Sequence, residues 1–297
     1  MKPLEDIRIN HTPCGPTGST LWPIGNPGEP LTIWGDASIG CDEEGWITID
    51  TSVDGYRKGG SGEVVGYSRP KRTYKAVEFQ VDRAWDETWM LNASYLWSKL
   101  EGNFEGPVNS DTNLPWTGMV QHFDHPAVNE RYGRLFNDFR HQFKLRAAYA
   151  PSRQWSFGAN LRVQSGGPVT AFGVVWPDDS LAAGGFASEG SGGGSGWICV
   201  SLCDRPWNER VLEYSPRGAF GELPWTWNMD ANVTWRLPVD GYDLSARLTV
   251  FNVFNNQKVI NVHQRYESNP GVVRDTFGTG TRWQAPRYAQ LVVTWNF

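Results

Sequence analysis

Alternation is the strongest constraint in this sequence. Its last twelve residues, Pro286 to Phe297, read PRYAQLVVTWNF, with Ala289, Leu291, Val293, Trp295 and Phe297 on one side and Gln290, Thr294 and Asn296 on the other. A period of two is the side-chain period of a β-strand. Only Val292 interrupts the polar face. A soluble sheet and a membrane β-barrel both accommodate such a strand, and the rest of the chain discriminates between them.

The pattern recurs over 73–83, 88–99, 139–150, 155–165, 226–236 and 243–253 before the final strand at 286–297. In the second of these, Trp89, Leu91, Ala93, Tyr95 and Trp97 oppose Asn92, Ser94 and Ser98. In the fifth, Trp227, Met229, Ala231, Val233 and Trp235 oppose Asn228, Asp230, Asn232, Thr234 and Arg236. The connections alternate. Short breaks at Asp86-Glu87, Pro151 to Gln154 and Pro238 to Gly241 alternate with long Gly-, Asn- and Pro-rich inserts near 100–138, 166–224 and 255–285. Short turns at one end and long loops at the other describe an antiparallel transmembrane β-barrel, whereas a β-sandwich has no reason to gather its long loops at one end.

The rings follow the same logic. With the strands running up and down, Trp89, Tyr149, Trp155, Trp235, Trp295 and Phe297 fall near the short-turn end, and Trp97, Phe139 and Trp227 near the long-loop end, all on the apolar face. Two aromatic girdles at the two membrane interfaces produce this distribution. The opposite face, expected to line the lumen, carries Glu78, Asp82, Arg140, Lys144, Arg146, Arg162, Arg236 and Arg247. Such charges suit a wide barrel that holds water or a plug. Seven strands are an awkward number for a closed bacterial barrel, so the chain is expected to be part of a larger one. Residues 1–70 form an extracellular loop region with one possible strand at 46–53.

Composition excludes other classes. The mean hydropathy of −0.47 and the absence of a long apolar run argue against transmembrane helices but leave barrel strands open. A net charge of −5 disfavours a nucleic-acid partner, which needs a basic surface. Cys14, Cys41, Cys199 and Cys203 lie in loop-like stretches; disulfides within each couple are the leading expectation, with free thiols and a zinc site as alternatives. His122, Asp124 and His125 suit a metal but equally a solvated loop. No phosphate-binding Gly-rich loop or nucleophile elbow is present, so neither a cofactor nor an enzyme is expected. No apolar signal segment opens the chain, so an exported protein is expected to be represented here by a fragment.

Several short stretches carry a resemblance: Arg69-Pro-Lys-Arg-Thr-Tyr74-Lys-Ala-Val-Glu78, Leu91 to Lys99 followed by Gly102 to Gly106, Gln164-Ser-Gly-Gly-Pro168, Pro216-Arg-Gly218, Val250-Phe-Asn-Val-Phe-Asn255 and Ala285-Pro-Arg287. In this order the chain resembles the C-terminal barrel region of TonB-dependent outer-membrane receptors, especially the Oar-like group, over roughly residues 20–297. The resemblance implies a 22-stranded barrel in the outer membrane of a Gram-negative bacterium, with outer-membrane lipid and the barrel-assembly machinery as partners. It implies TonB as a partner only if upstream sequence supplies a plug domain. It also implies an assembly signal at Gln290, Val293, Trp295 and Phe297, with Val292 where Gly is usual. The expected function is uptake or binding of a bulky ligand. A truncated gene product, a passive porin-like or structural barrel and a secreted carbohydrate-binding β-sandwich are the alternatives.

Overall fold

The structure is a computed structural model that describes residues 5–6, 24–26, 28–37, 41, 44–53, 56–57, 64–67, 69–103, 132–175, 196–239 and 242–296. Its main body is one antiparallel meander. Seven long strands, β1 (Arg72–Arg83), β2 (Trp89–Gly102), β3 (His141–Tyr149), β4 (Trp155–Gln164), β5 (Thr226–Leu237), β6 (Asp243–Phe251) and β7 (Tyr288–Asn296), pair each with the next in chain order. A two-residue strand, Gly133–Arg134, extends the outer end of β2. Register is continuous from Arg72 opposite Gly102 to Arg83 opposite Leu91, and on across the sheet to Asp243 opposite Asn296.

An unbroken register keeps each alternating residue on its own face over the whole sheet. One face is apolar and bare. Phe79 is 65% exposed, Leu291 66% and Val293 63%. A β-sandwich would cover these side chains with a second sheet, and among the described residues none does. The buried apolar residues instead gather at the long-loop end: Leu100, Leu135, Val169, Ala171, Phe172, Val175, Ile198 and Leu223. The fold is thus a sector of an antiparallel β-barrel with a packed cap of loops, and its edges at β1 and β7 pair with no other described strand.

At the short-turn end the chain reverses economically. Between β1 and β2, Asp86 Oδ1 accepts hydrogen bonds from the backbone N–H of Trp89 at 3.0 Å and of Thr88 at 3.1 Å. These bonds, that from Trp89 foremost, hold its carboxyl below the ordinary carboxylate range. Glu87 takes a left-handed φ of 71° to complete the turn.

The long connections hold more structure than their composition suggests. In the first 70 residues, Pro30–Gly35 pairs with Gly45–Asp50, so the expected strand at 46–53 ends at Asp50 and residues 51–53 turn. Leu31, Ile33 and Ile47 of this hairpin pack on buried Ile49 and Tyr67. Trp197–Ser201 pairs with Val211–Tyr214, and Val259–Val262 with Gly280–Trp283. Short strands with irregular register do not announce themselves as alternation.

The strand expected at 139–150 starts at His141, although Arg140 O still accepts from Ser98 N at 3.0 Å. Arg140, expected to line the lumen, precedes β3 and donates from Nε to Asp138 at 3.3 Å. Phe139, expected in the outer girdle, packs over Gly167 at the rim. Asp138 is 1% exposed. Its Oδ1 accepts from Leu100 N at 2.7 Å and its Oδ2 from Arg134 Nε at 2.7 Å, which ties Asp138 to the rim. Arg134 also reaches Glu222. Burial opposes its charge, but Asp138 and Glu222 more than offset this and hold the guanidinium above its ordinary pKa.

Replacing Asp138 by Ala leaves Arg134 and the Leu100 N–H without their buried partner. Breaking a buried ion pair from one side costs about 3–5 kcal/mol, so the unfolding midpoint of the Asp138→Ala protein in detergent is expected to fall clearly; an unchanged midpoint excludes this role.

Candidate functional site

The polar face of the sheet and the loop cap above it are the two places where functional side chains converge. On the polar face, pairing builds rows that cross several strands. One row runs Gln80, Ser94, Lys144, Arg162, Asn228, and the next runs Asp82, Asn92, Arg146, Asn160, Asp230. Nearer the short-turn end, Thr234 lies opposite Arg247 and Arg236 opposite Ser245. The register therefore places Glu78, Asp82, Lys144, Arg146, Arg162, Arg236 and Arg247 on one face, and Arg140, whose carbonyl accepts from Ser98 N at 3.0 Å, stands at its rim. A cavity of about 930 Å³ opens on this face, lined among others by Arg146, Asn160, Asp230, Thr234, Arg236 and Arg247.

The carboxylates on this wall are held locally. Asp82 accepts hydrogen bonds from Asn92 and Gln80. Asp230 accepts from Asn252 N at 2.9 Å and from Asn228 Nδ2 at 3.4 Å. Phe251 and Tyr288 fall on the polar face opposite one another and stack at 4.4 Å. Sequence periodicity missed this polar-face aromatic pair because both residues stand at strand ends.

On the apolar face the rings line up across neighbouring strands. At the short-turn end Trp89 lies opposite Tyr149 and Trp155 opposite Trp235, the latter pair stacked at 5.7 Å. Trp295 lies opposite Leu244 and packs against Tyr242. At the other end Trp97 lies opposite His141, which bonds to Tyr95 and stacks on Trp225, while Trp227 packs against Phe254. Gln290 is on the polar face and Val293 on the apolar face of β7; Phe297 lies outside the described residues.

The loop cap is organised by buried polar groups that periodicity cannot reveal. The segment 169–175 is its central strut, with Thr170, Ala171, Phe172 and Val175 all buried. Thr170 N donates to Gln264 Oε1 at 2.6 Å, and Phe172 exchanges backbone bonds with Gln264 and Tyr266. Glu267, 1% exposed, accepts from Cys199 N at 2.9 Å, Gly271 N at 3.0 Å and Val174 N at 3.1 Å. One carboxylate thus joins three separate stretches of chain. Cys199 and Cys203 form a disulfide beside it. Gly271 must be glycine there: its φ is 73°, and a Cβ would stand 2.7 Å from the Cys203 sulfur. Cys41 is also disulfide-bonded; Cys14, and the His122, Asp124 and His125 group, lie outside the described residues. A second, smaller cavity of about 220 Å³ lies between Phe136, Phe139, Leu223, Pro224 and Ile260 at the rim.

The family motif at 250–255 acquires a physical reason. Asn252, with φ 48°, donates from Nδ2 to Asn256 O at 3.0 Å and Ala285 O at 2.8 Å, and accepts from Asn256 N at 3.0 Å. It turns the chain out of β6 and ties it to the start of β7.

Substituting Glu267 by Ala orphans three backbone donors, at about 1–3 kcal/mol for each buried group left unpaired. Hydrogen–deuterium exchange at the Cys199, Val174 and Gly271 amides is expected to accelerate while the strands stay protected. Unchanged exchange would remove Glu267 from this role.

No family model matches the chain. The TonB-dependent transporter Oar of Myxococcus xanthus is 30% identical over 214 residues, 70% of this chain; the chain spans 17% of that relative's length. Among solved structures, the ferripyoverdine receptor of the outer membrane of Pseudomonas aeruginosa matches 78% of this chain and 21% of its own at 13% identity, TM-score 0.41. The unliganded ferric citrate transporter FecA matches 84% and 27% at 14% identity, TM-score 0.38. The outer membrane transporter YddB of Escherichia coli matches 92% and 29% at 10% identity, TM-score 0.41. With the sequence relationship to Oar beside seven two-faced strands whose long connections share one end, the chain belongs to the TonB-dependent receptors, in the Oar-like group, as a stretch of their outer-membrane β-barrel.

Proposed function

We propose that this chain supplies part of the wall and of the outer loops of a receptor that takes up a bulky ligand across the outer membrane. The carrying observation is the division of the strands into a bare apolar face and a polar face that carries charges on β1 and on β3 to β6. The first suits lipid and the second a water-filled or plugged interior. Coupling to TonB is proposed for the whole receptor, through a plug domain contributed by sequence outside this chain. The 30% identity with the transporter Oar favours active uptake over a passive porin.

Two surface roles follow from this reading. Trp89, Tyr149, Trp155, Trp235 and Trp295 sit at the inner headgroup level and Trp97 and Trp227 at the outer, where amphipathic rings are favoured. The β7 residues Gln290, Val293 and Trp295, with Phe297, form the signal that the barrel-assembly machinery reads. The Cys199–Cys203 bridge fits loops exposed to an oxidising exterior.

The full-length gene product is expected in the outer-membrane fraction, extracted only by detergent and changing gel mobility on heating. Its recovery as a folded protein in the periplasm or cytosol overturns the proposal. In the same assay, Trp295→Ala combined with Phe297→Ala is expected to lower the assembled amount several-fold; wild-type levels would remove the assembly signal.

A further inference from the structure

We propose that the Cys199–Cys203 bridge is a redox latch: the loop cap is held in order while the bridge is closed and loosens when a small thiol opens it. The strand ladder is untouched by either state. The inference goes beyond the receptor reading and rests on groups that this chain completes by itself. Glu267 is 1% exposed and Cys199 7%, so the junction between them is closed to any other part of a larger barrel.

The backbone around the bridge is not one that its residues favour. The hairpin of Trp197–Ser201 and Val211–Tyr214 slips register between Cys199 and Ser201. Leu202 then stands at φ 53°, a left-handed conformation that residues other than glycine rarely take. Arg205 N donates to Leu202 O at 3.0 Å to close the turn. The covalent tie from Cys199 to Cys203 spans both the bulge and the turn.

Both ends of the bridge meet the same carboxylate oxygen. Cys199 N donates to Glu267 Oε1 at 2.9 Å. Cys203 packs against Gly271, where a Cβ would stand 2.7 Å from its sulfur, and Gly271 N donates to the same Oε1 at 3.0 Å. Oε2 accepts from Val174 N at 3.1 Å, and Val175 forms a β-bridge with Trp197, so the junction continues into the strut at 169–175. Among the described residues no ion pair reaches Glu267. Backbone N–H groups therefore keep its charge buried. Opening the bridge lets Leu202 leave the left-handed region and carry Cys199 N and the Cys203 contact away. A carboxylate that loses donors draws water into the cap.

The step is thiol–disulfide exchange. Cys203 is half-buried between exposed Leu202 and Asp204, whereas Cys199 is buried, so a thiolate attacks the Cys203 sulfur. The S–S bond breaks, Cys199 leaves as a thiolate and takes up a proton, and Cys203 remains in a mixed disulfide. A second thiol attacks the added sulfur and releases Cys203, so two thiols become one disulfide as the bridge becomes two thiols. The reverse exchange, with a disulfide as oxidant, closes the latch, and the cap sets in an oxidising compartment.

The test uses the full-length protein purified in detergent, with dithiothreitol supplying both thiols. Alkylation and mass spectrometry count the opened bridge, and hydrogen–deuterium exchange reads the cap. Closing so short a ring is worth roughly thirtyfold in a local equilibrium. The amides of residues 174, 199 and 271 should therefore exchange at least tenfold faster once the bridge is open, while those of β2 to β6 keep their rates. Cys199→Ser/Cys203→Ser should show the fast exchange without dithiothreitol and no further change with it, which separates this bridge from that of Cys41. Wild type reduced and then reoxidised should return to the slow rates, which keeps the test decisive if the variant does not assemble. Three amides that stay slow with the bridge fully open overturn the latch, as does a bridge that dithiothreitol leaves closed in the folded protein.

Discussion

A backbone that crosses hydrocarbon must pair every N–H and C=O group within the protein, because no water is there to accept them. The uninterrupted ladder from β1 to β7 meets that demand for the strands between the two edges. The rest of the architecture follows from it. Once the ladder fixes the register, side-chain alternation assigns each residue to the apolar or the polar face, with no freedom to redistribute. The sheet carries no core of its own among the described residues, and its apolar face stays bare. The two edges are the exception: β1 and β7 pair with no further described strand.

The same constraint explains where the conventional core went. The apolar groups that exclude water are in the loop cap, around residues 169–175, 198 and 223. Outside the hydrocarbon, chain segments must hold together as a soluble domain does, by burying side chains and satisfying polar groups inside. Glu267 and Gln264 do the second task. Each brings acceptors to backbone donors from a distant loop, which lets irregular chain be buried without orphaned N–H groups.

This division also marks what the sequence could reveal. The seven strands were legible because the ladder imposes strict alternation over nine to fourteen residues, and aromatic residues mark their ends. Their outer boundaries were less so. Alternation alone carries Phe139 and Arg140 into β3, whereas the paired strand starts at His141, beside the rim contacts of Asp138 with Arg140 and the Leu100 N–H. Of the hairpin at 30–35 and 45–50 only the second strand was read, and the paired segments at 259–262 and 280–283 were too short and too irregular in register to show a period. The charged side chains of the wall were legible as a set. Their juxtaposition was not, because the opposition of Lys144 to Arg162 depends on the pairing of two strands rather than on either one.

The transition between the two regimes is itself built from side chains. At the outer end of the strands the ladder stops while N–H groups still need acceptors, and a nearby side chain supplies one. Lys71 N donates to Asn103 Oδ1 at 2.6 Å, Leu100 N to Asp138 Oδ1 at 2.7 Å and His141 N to Ser165 Oγ at 3.1 Å. Asn252 N donates to Asp230 Oδ1 at 2.9 Å and Arg287 N to Asn255 Oδ1 at 2.9 Å. These caps end the strands at defined residues, as N-cap side chains end helices, and they do so where the long loops depart. The loops are therefore launched from fixed points, and their positions over the wall are set by the rim. A cap so anchored keeps a constant shape beside a polar face whose charges are arranged by the register of the same strands.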